Sequence, residues 1–212
     1  MIVKQLRLVV ALAVAGLLVA SAVAWAANIR GTNGNDFLPG TQQRDHISAR
    51  GGDDIVYGLG GNDRIVASSG SDLVNGDGTC PAGVRNPNYC SDDETQGGND
   101  KISAGSGNDV AQGGKGNDTI RGNKGADDLD GESGNDRVSG WEGNDIVKTG
   151  SGNDRASGGS DADDVTTGSG NDQVFVRDGT RDTVNCGSGS DRVNADRKDS
   201  VSSNCEKVTR KG

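Results

Sequence analysis

Residues 98–121 read GNDKISAGSGNDVAQGGKGNDTIR and contain one short unit nearly three times. In this stretch the aspartates of the units stand nine residues apart, and the residue two positions after each of them is apolar. The same spacing continues on both sides of the stretch. It brings fourteen aspartates into register: Asp36, Asp45, Asp54, Asp63, Asp72, Asp100, Asp109, Asp118, Asp127, Asp136, Asp145, Asp154, Asp163 and Asp172. A fixed short period predicts a solenoid, in which every unit contributes one turn and one strand.

Each unit divides into a glycine-rich turn of six residues and a strand of three. We expect the apolar residue of the strand to point inward and its two neighbours to point outward, because side chains alternate along a strand. Outward positions hold Arg64, Lys101, Arg137 and Arg155. Two units make a coil of about 18 residues, and the strands of successive coils stack about 4.8 Å apart. The sequence therefore predicts an all-β fold, a solenoid of parallel strands.

The composition excludes an ordinary packed core. Glycine accounts for 36 of the 212 residues, hydrophobic residues for 31%, and Phe, Tyr and Trp for two each. Such a chain buries little apolar area, and composition alone would suggest disorder. Collagen is excluded because glycine does not recur at every third position. Disorder gives no reason for an apolar residue to keep its register through fourteen units, so a repeat fold is expected.

Stacked turns place the aspartates of every second unit in columns. Carboxylates about 5 Å apart repel each other by roughly 1 kcal/mol per pair in water, and a small core offers little to offset this repulsion. Ca²⁺ would offset it, because it accepts about six to eight oxygens from carboxylates and carbonyls, and glycine turns can aim carbonyls inward. Mg²⁺ fits less well because it needs a tighter octahedron. The alternative is that these aspartates only form turns.

Two units, GLGGNDRIV at residues 58–66 and GGKGNDTIR at residues 113–121, resemble the RTX, or haemolysin-type, calcium-binding nonapeptide G-G-x-G-x-D-x-U-x. The resemblance covers about residues 31–75 and 95–175, with looser copies to about residue 203. It implies a right-handed parallel β-roll that holds several Ca²⁺ ions between successive turns on each side. It also implies that the fourteen aspartates supply the side-chain ligands. Asp45 and Asp163 depart from the pattern, because their turns lack the glycine two residues earlier.

The N-terminus has the pattern of a secretory signal peptide. Lys4 and Arg7 precede an uncharged run over residues 8–24, and Ala24-Trp25-Ala26 offers small residues for cleavage after Ala26. A retained membrane anchor is the alternative, since the run lies at the lower edge of a bilayer span. We expect a secreted, extracellular or cell-surface protein with no integral membrane span after cleavage.

Charge restricts the partners of the mature chain. Cleavage removes two of the 22 basic residues and none of the 31 acidic ones, so the net charge falls from −9 to −11. This balance argues against nucleic acid and anionic membranes as partners. The basic residues are mostly scattered singly along the sequence, and only the C-terminus gathers a few.

Four cysteines in an exported chain predict two disulfides, and proximity favours Cys80–Cys90 and Cys186–Cys205. Zinc is the alternative, but the sequence has no C-x-x-C pair and a single histidine. The expected organisation is a signal peptide (1–26), an N-terminal repeat block (27–75), a disulfide-pinned insertion (76–94), a main repeat block (95–185), and degenerate repeats with a C-terminal cap (186–212).

The expected function is that of a secreted calcium-binding roll that folds on binding calcium and has a structural or adhesive role. An enzyme is not expected, because the single histidine, His46, lies at an outward position and the repeats begin about five residues after the cleavage site. The open alternatives are a non-catalytic module of a secreted enzyme system, an ice-binding protein and a carbohydrate-binding protein. Ice binding would need a row of threonines that the turns lack. Sugar binding would need exposed aromatic residues, and the mature chain offers Phe37, Tyr57, Tyr89, Trp141 and Phe175. The sequence does not identify a protein or cell-surface partner.

Overall fold

The computed structural model describes residues 26–77 and 97–211, which form 21 short strands and no helix, so no helix of this part could span a membrane. The strands are β1 (Asn28–Arg30), β2 (Phe37–Thr41), β3 (His46–Gly51), β4 (Ile55–Leu59), β5 (Arg64–Ser69), β6 (Leu73–Asn75), β7 (Lys101–Ser106), β8 (Val110–Lys115), β9 (Thr119–Lys124), β10 (Asp128–Ser133), β11 (Arg137–Glu142), β12 (Ile146–Lys148), β13 (Arg155–Ser160), β14 (Asp164–Thr166), β15 (Ser169–Gly170), β16 (Gln173–Val176), β17 (Thr183–Asn185), β18 (Ser188–Gly189), β19 (Arg192–Ala195), β20 (Ser200–Val201) and β21 (Lys207–Arg210).

Two long parallel sheets form the sides of the molecule. The ten-stranded sheet has the order β1-β3-β5-β7-β9-β11-β13-β16-β19-β21, and the nine-stranded sheet has the order β2-β4-β6-β8-β10-β12-β14-β17-β20. Strands β15 and β18 form a separate pair. Because consecutive strands alternate between the two long sheets, one coil contains one strand of each. The predicted all-β, parallel β-roll is thus confirmed.

The predicted inward positions are also confirmed. Val138 pairs with Ile120 and Ala156 in the ten-stranded sheet, and all three are buried. Val147 is buried in the nine-stranded sheet, whereas Arg137 and Lys148 are exposed. Alternation along each strand therefore produces a thin apolar column behind each sheet.

The predicted division into a six-residue turn and a three-residue strand was wrong for many units. Strands such as β7 have six residues, and both Ile102 and Ala104 of this strand are buried. The reason is that the backbone after the apolar residue continues to pair with the next coil, as Gly105 does with Asn123. Each of these units therefore has a second inward position, four residues after its aspartate, which mostly holds glycine or alanine.

The fifth residue after each aspartate often adopts the left-handed backbone conformation. Gly114 and Gly159 have φ values of 103° and 132° at this position. Leu59 and Trp141 adopt it too, with φ values of 78° and 87°. An L-residue other than glycine loses about 1–2 kcal/mol in this conformation, yet Arg50, Asn123 and Glu132 adopt it as well, so the roll imposes it whatever the side chain.

The two repeat blocks stack as one continuous roll. Strand β5 pairs with β7 and β6 pairs with β8 in the same register as elsewhere, so both sheets run past the insertion. Cys80 and Cys90, whose pairing the sequence predicted, lie outside the described residues, as does nearly all of the predicted signal peptide.

The C-terminal end is closed by a disulfide. The predicted Cys186–Cys205 bond is present, and both cysteines are buried. Strand β21, which follows it, pairs with β19 and ends the ten-stranded sheet. Glu206 accepts a hydrogen bond at Oε2 from the N–H of Asp191 at 2.9 Å. A glutamate therefore takes the place of an aspartate in the last coil.

Candidate metal centre

The fourteen predicted aspartates lie in two columns, where a turn enters a strand of either sheet. Thirteen of them are at most 4% exposed, and Asp36 in the first coil is half-buried. The column that leads into the ten-stranded sheet contains Asp45, Asp63, Asp100, Asp118, Asp136, Asp154 and Asp172. The column that leads into the nine-stranded sheet contains Asp36, Asp54, Asp72, Asp109, Asp127, Asp145 and Asp163.

One oxygen of each carboxylate ties neighbouring coils together. Asp118 donates its backbone N–H to Oδ1 of Asp136 at 2.8 Å, and Asp136 donates its own N–H to Oδ1 of Asp154 at 2.8 Å. Fifteen such bonds follow one another through the two columns. The N–H of Asp63 reaches Oδ1 of Asp100 across the insertion at 2.7 Å. These bonds satisfy backbone donors that burial would otherwise leave unpaired.

The second carboxylate oxygen, Oδ2, has no hydrogen-bond partner in fourteen aspartates of the described ranges. They are Asp54, Asp63, Asp72, Asp100, Asp109, Asp118, Asp127, Asp136, Asp145, Asp154, Asp163, Asp172, Asp182 and Asp191. A buried polar atom without a partner is costly and rare in native proteins. A whole series of them in two regular columns indicates that a further ligand completes the site.

Seven of the fourteen unpaired oxygens face an inward glycine. A Cβ atom added to Gly140 would lie 2.0 Å from Oδ2 of Asp145 and 2.5 Å from the carbonyl oxygen of Gly158. At Gly122 the corresponding distances, to Asp127 and Gly140, are 2.1 and 2.9 Å. Glycine thus lets a carboxylate oxygen approach the backbone where a Cβ atom would collide with it, and brings that oxygen close to the carbonyl oxygen of the next coil. Two acceptors without a donor between them suit a hard cation.

The donor set fits Ca²⁺ better than a transition metal. No three Asp, Glu, His or Cys side chains converge on one point anywhere in residues 26–77 and 97–211. A cation in a column would therefore combine carboxylates with backbone carbonyls. Ca²⁺ accepts such mixed oxygen ligands in irregular geometry, whereas zinc and its neighbours prefer imidazole and thiolate.

Burial disfavours the charged form of these aspartates. Desolvation raises the pKa of Asp63 and Asp100 to about 8, and that of Asp109 and Asp136 to about 7. The backbone N–H bond to each carboxylate opposes this rise, and the neighbouring aspartates add to it. A cation beside Oδ2 would reverse the effect, because an opposite charge stabilises the carboxylate.

The two ends of the roll differ from its middle. In the first coil, Oδ2 of Asp36 accepts the N–H and the hydroxyl of Thr32 at 2.5 and 2.9 Å. Asp45 accepts the same two groups of Thr41, at 2.5 and 3.1 Å, so Oδ2 already has a hydrogen-bond donor in both carboxylates.

At the other end, Asp182 and Asp191 do have an unpaired Oδ2, although the sequence prediction did not include them among the site residues. They share one signal with the fourteen predicted aspartates. Each is followed two residues later by a buried valine, Val184 or Val193. The prediction left them out because the nine-residue spacing is broken before them: Asp182 follows Asp172 by ten residues.

Comparison with known families agrees with this geometry. Six overlapping segments match the model of a family described as the RTX calcium-binding nonapeptide repeat (4 copies), at residues 30–65, 57–78, 94–129, 103–138, 112–147 and 139–174. Together the segments cover more than half of the chain and all fourteen predicted aspartates. No curated protein matches the chain significantly.

Proposed function

Because the chain belongs to the family of RTX calcium-binding nonapeptide repeat proteins, we propose that it is a secreted calcium-binding roll with a non-catalytic, structural or adhesive role outside the cell. The observation that carries this proposal is the series of buried, unpaired Oδ2 atoms in the two columns. These atoms repeat at every coil of the middle of the roll, as calcium between successive turns requires.

In this proposal the two carboxylate oxygens of an aspartate have separate tasks. Oδ1 keeps its bond to the backbone N–H of the preceding coil, and Oδ2 binds calcium together with carbonyl oxygens of the turns. Asp54 to Asp172 in the two columns would act in this way, and Asp182 and Asp191 would join them. Asp36 and Asp45 would contribute less, since their threonine neighbours already satisfy Oδ2.

Calcium binding would be linked to folding. Without a cation, the charged carboxylates of neighbouring coils oppose the stacking on which both sheets depend. The free energy of binding then becomes free energy of folding, as in other small metal-dependent domains. Calcium is abundant outside the cell, so the roll would fold after export.

Two features support export. The first 26 residues have the pattern of a signal peptide, and the Cys186–Cys205 disulfide is typical of proteins in oxidising compartments. A structural role is consistent with the aspartates themselves, which are too deeply buried for a substrate to reach them.

Circular dichroism of residues 27–212 tests the proposal. We expect a coil-like spectrum in metal-free buffer at pH 8 and a cooperative rise of β signal with millimolar Ca²⁺. Mg²⁺ at the same concentration is the control and should produce a much smaller change, because it keeps its water ligands. Equal β content with and without Ca²⁺ would contradict the proposal.

A further inference from the structure

The outer face of the ten-stranded sheet is basic in an otherwise acidic protein. Its outward side chains come from the residues one and three positions after each aspartate. In the ten described strands these positions hold no Asp or Glu. They hold eight exposed cations, which we call the basic stripe: Arg30, Arg64, Lys101, Arg121, Arg137, Arg155, Arg192 and Lys207. Eight cations that look scattered in the sequence are thus collected on one face.

The nine-stranded sheet does not share this charge. Its equivalent outward positions carry Asp128, Asp130 and Asp164 against a single cation, Lys148. The first strands of this sheet expose apolar side chains such as Phe37 instead. The basic residues are therefore sorted between the two sheets, which a general need for solubility does not explain.

The cations of the stripe have no acidic partners in the described part of the chain. The ion pairs found there are Lys124–Glu142 and Lys148–Asp128, both outside the stripe. A groove of about 580 Å³ runs between the side chains of Arg64, Lys101, Arg121 and Arg137. The guanidinium of Arg155 stacks on the ring of Phe175, 4.0 Å from its centroid. The charges of the stripe nevertheless lie at the surface, where a partner can reach them.

Trp141 stands beside the stripe and exposes its indole ring. It is 53% exposed, and its left-handed backbone is shared by Asn123 and Gly159 at the equivalent places in the two neighbouring strands. A groove of about 240 Å³ is lined by Trp141, Arg121, Arg137 and Arg155. A large exposed indole next to three arginines points to a ligand-binding role.

We propose that the basic stripe binds an extended acidic polysaccharide, which lies along the axis of the roll and stacks one sugar ring on Trp141. The stripe offers nearly one cation per strand, at a spacing of about 4.8 Å, which is close to the length of one sugar unit in an extended chain. The C–H face of a sugar ring packs well on an indole, and the anionic groups on either side of it would meet the arginines. This inference rests on the proposed function for its folded state, and it names the partner of the adhesive role.

Other polyanions match the stripe less well. Duplex DNA carries about one charge per 1.7 Å of its axis, far more than the stripe can neutralise. Single-stranded nucleic acid is usually held by several successive aromatic side chains, whereas Trp141 is the one largely exposed aromatic beside the stripe in the described strands. A planar anionic membrane would also meet acidic residues beside the stripe, such as Glu142 and Asp161, which are exposed.

Two variants with the same net charge separate the effect of the stripe on binding from the effect of net charge. The stripe variant combines Arg121→Ser, Arg137→Thr and Arg155→Gln, because Ser139, Thr119 and Gln173 already occupy the same two outward columns. The control variant combines Lys148→Gln, Arg181→Gln and Arg197→Gln, three exposed cations outside the ten-stranded sheet, and changes the net charge equally. Trp141→Gly removes the indole and restores the residue type of Gly159, so it should not weaken the fold.

Fluorescence anisotropy with a labelled heparin-derived dodecasaccharide in Ca²⁺ buffer tests the inference. The wild-type chain should bind this probe at least tenfold more tightly than a neutral dextran oligomer of equal length, and added salt should weaken the binding. The stripe variant should lose at least tenfold in affinity and Trp141→Gly at least threefold, while the control variant stays within twofold. Absence of binding, an equal loss in the control variant, or tighter binding to a single-stranded oligonucleotide or to anionic vesicles would overturn the inference.

Circular dichroism of the same samples separates this inference from the proposed function. If Ca²⁺ leaves the β signal unchanged because the roll is already folded without it, the proposed function fails while the binding assay still probes the stripe. If Ca²⁺ folds the roll and the dodecasaccharide does not bind, the inference about the stripe alone is wrong.

Discussion

At the scale of single residues, the two oxygens of a column aspartate are chemically distinct. In the middle of the roll Oδ1 of Asp136 accepts a backbone N–H, and Oδ2 of the same residue has no partner. One side chain therefore joins two coils and leaves one oxygen free for a cation. Substitutions that affect the two oxygens differently can separate these roles.

Asp136→Asn should separate the hydrogen bond from the metal site. Asparagine keeps an oxygen for the N–H of Asp118 but replaces the unpaired Oδ2 with an uncharged NH₂ group. We expect lower Ca²⁺ affinity by calorimetric titration, together with a metal-free roll no less stable than that of the wild type. Asp136→Ala should lose both the Ca²⁺ affinity and the N–H bond, which is worth about 1.5–3 kcal/mol because its acceptor is charged. Equal Ca²⁺ affinity of Asp136→Asn and the wild-type chain would refute the role of Oδ2.

The position of an aspartate in its column should determine how much Ca²⁺ affinity and cooperativity are lost when it is replaced by alanine. Asp136 has a coil on either side, whereas Asp36 lies in the first coil and has its Oδ2 satisfied by Thr32. Solenoid repeats interact chiefly with their neighbours, so Asp136→Ala should reduce Ca²⁺ affinity and cooperativity more than Asp36→Ala. A calorimetric titration that finds the opposite order would mean that stacking is not the source of cooperativity, or that the first coil is the nucleus of folding.

At the scale of the strand, alternation decides what each position tolerates. Val138 is 1% exposed between Ile120 and Ala156, and its neighbour Arg137 faces solvent. Two adjacent residues of one strand thus belong to opposite environments. The register of the roll can be tested by placing the same charge at each of them.

Val138→Asp should prevent or severely weaken folding in calcium, because it buries a charge without a partner, at a cost of about 3–5 kcal/mol. Arg137→Asp places the same carboxylate in solvent and should change the stability by about 0.5 kcal/mol or less. Urea midpoints in saturating Ca²⁺ compare the two variants. Similar midpoints would show that the inward and outward positions are assigned incorrectly.

At the scale of the whole molecule, the aspartate columns act as a set of coupled groups. Both columns continue past the insertion, through the bonds from Asp63 to Asp100 and from Asp72 to Asp109. Protonation or metal binding at one coil therefore acts first on the coils next to it, including those across the insertion. The proton and the cation are competitors for the same oxygens, which gives the fold a distinct dependence on pH.

Acid should partly replace calcium. Burial raises the pKa of Asp63 and Asp100 to about 8 and that of Asp136 to about 7 in the metal-free roll. A pKa raised by folding means that these groups favour the fold most below their unfolded pKa of about 4. This contribution shrinks as the pH rises above about 4 and is gone above the folded pKa values of about 7 to 8. In metal-free buffer the β signal should therefore be larger at pH 5 than at pH 8.

The Ca²⁺ affinity should show the opposite dependence on pH, because protons displace the ion from the carboxylates. Its affinity should fall as the pH is lowered from 8 to 5. Circular dichroism titrations with Ca²⁺ at both pH values measure the two trends together. An unchanged metal-free spectrum between pH 8 and pH 5 would show that the raised pKa values do not control folding.

The sequence by itself determined the repeat, the inward apolar residues and the fourteen aspartates of the two columns. These features depend on residue types at a fixed local spacing, and a period of nine residues allows few structures other than a solenoid. The same local information predicted the Cys186–Cys205 bond, which the structure contains.

Only the tertiary structure decided which contacts each side chain makes with the neighbouring coil. It gave Oδ1 and Oδ2 different surroundings and joined each aspartate column across the insertion. It also placed Arg64, Lys101, Arg137 and Arg155 on one face. The physical reason is that a coil contains two units, so residues one unit apart belong to opposite sheets and residues two units apart are in contact. The charge of one face therefore depends on whether the basic residues lie in every second unit, and this becomes a surface property only when the chain is wound into coils.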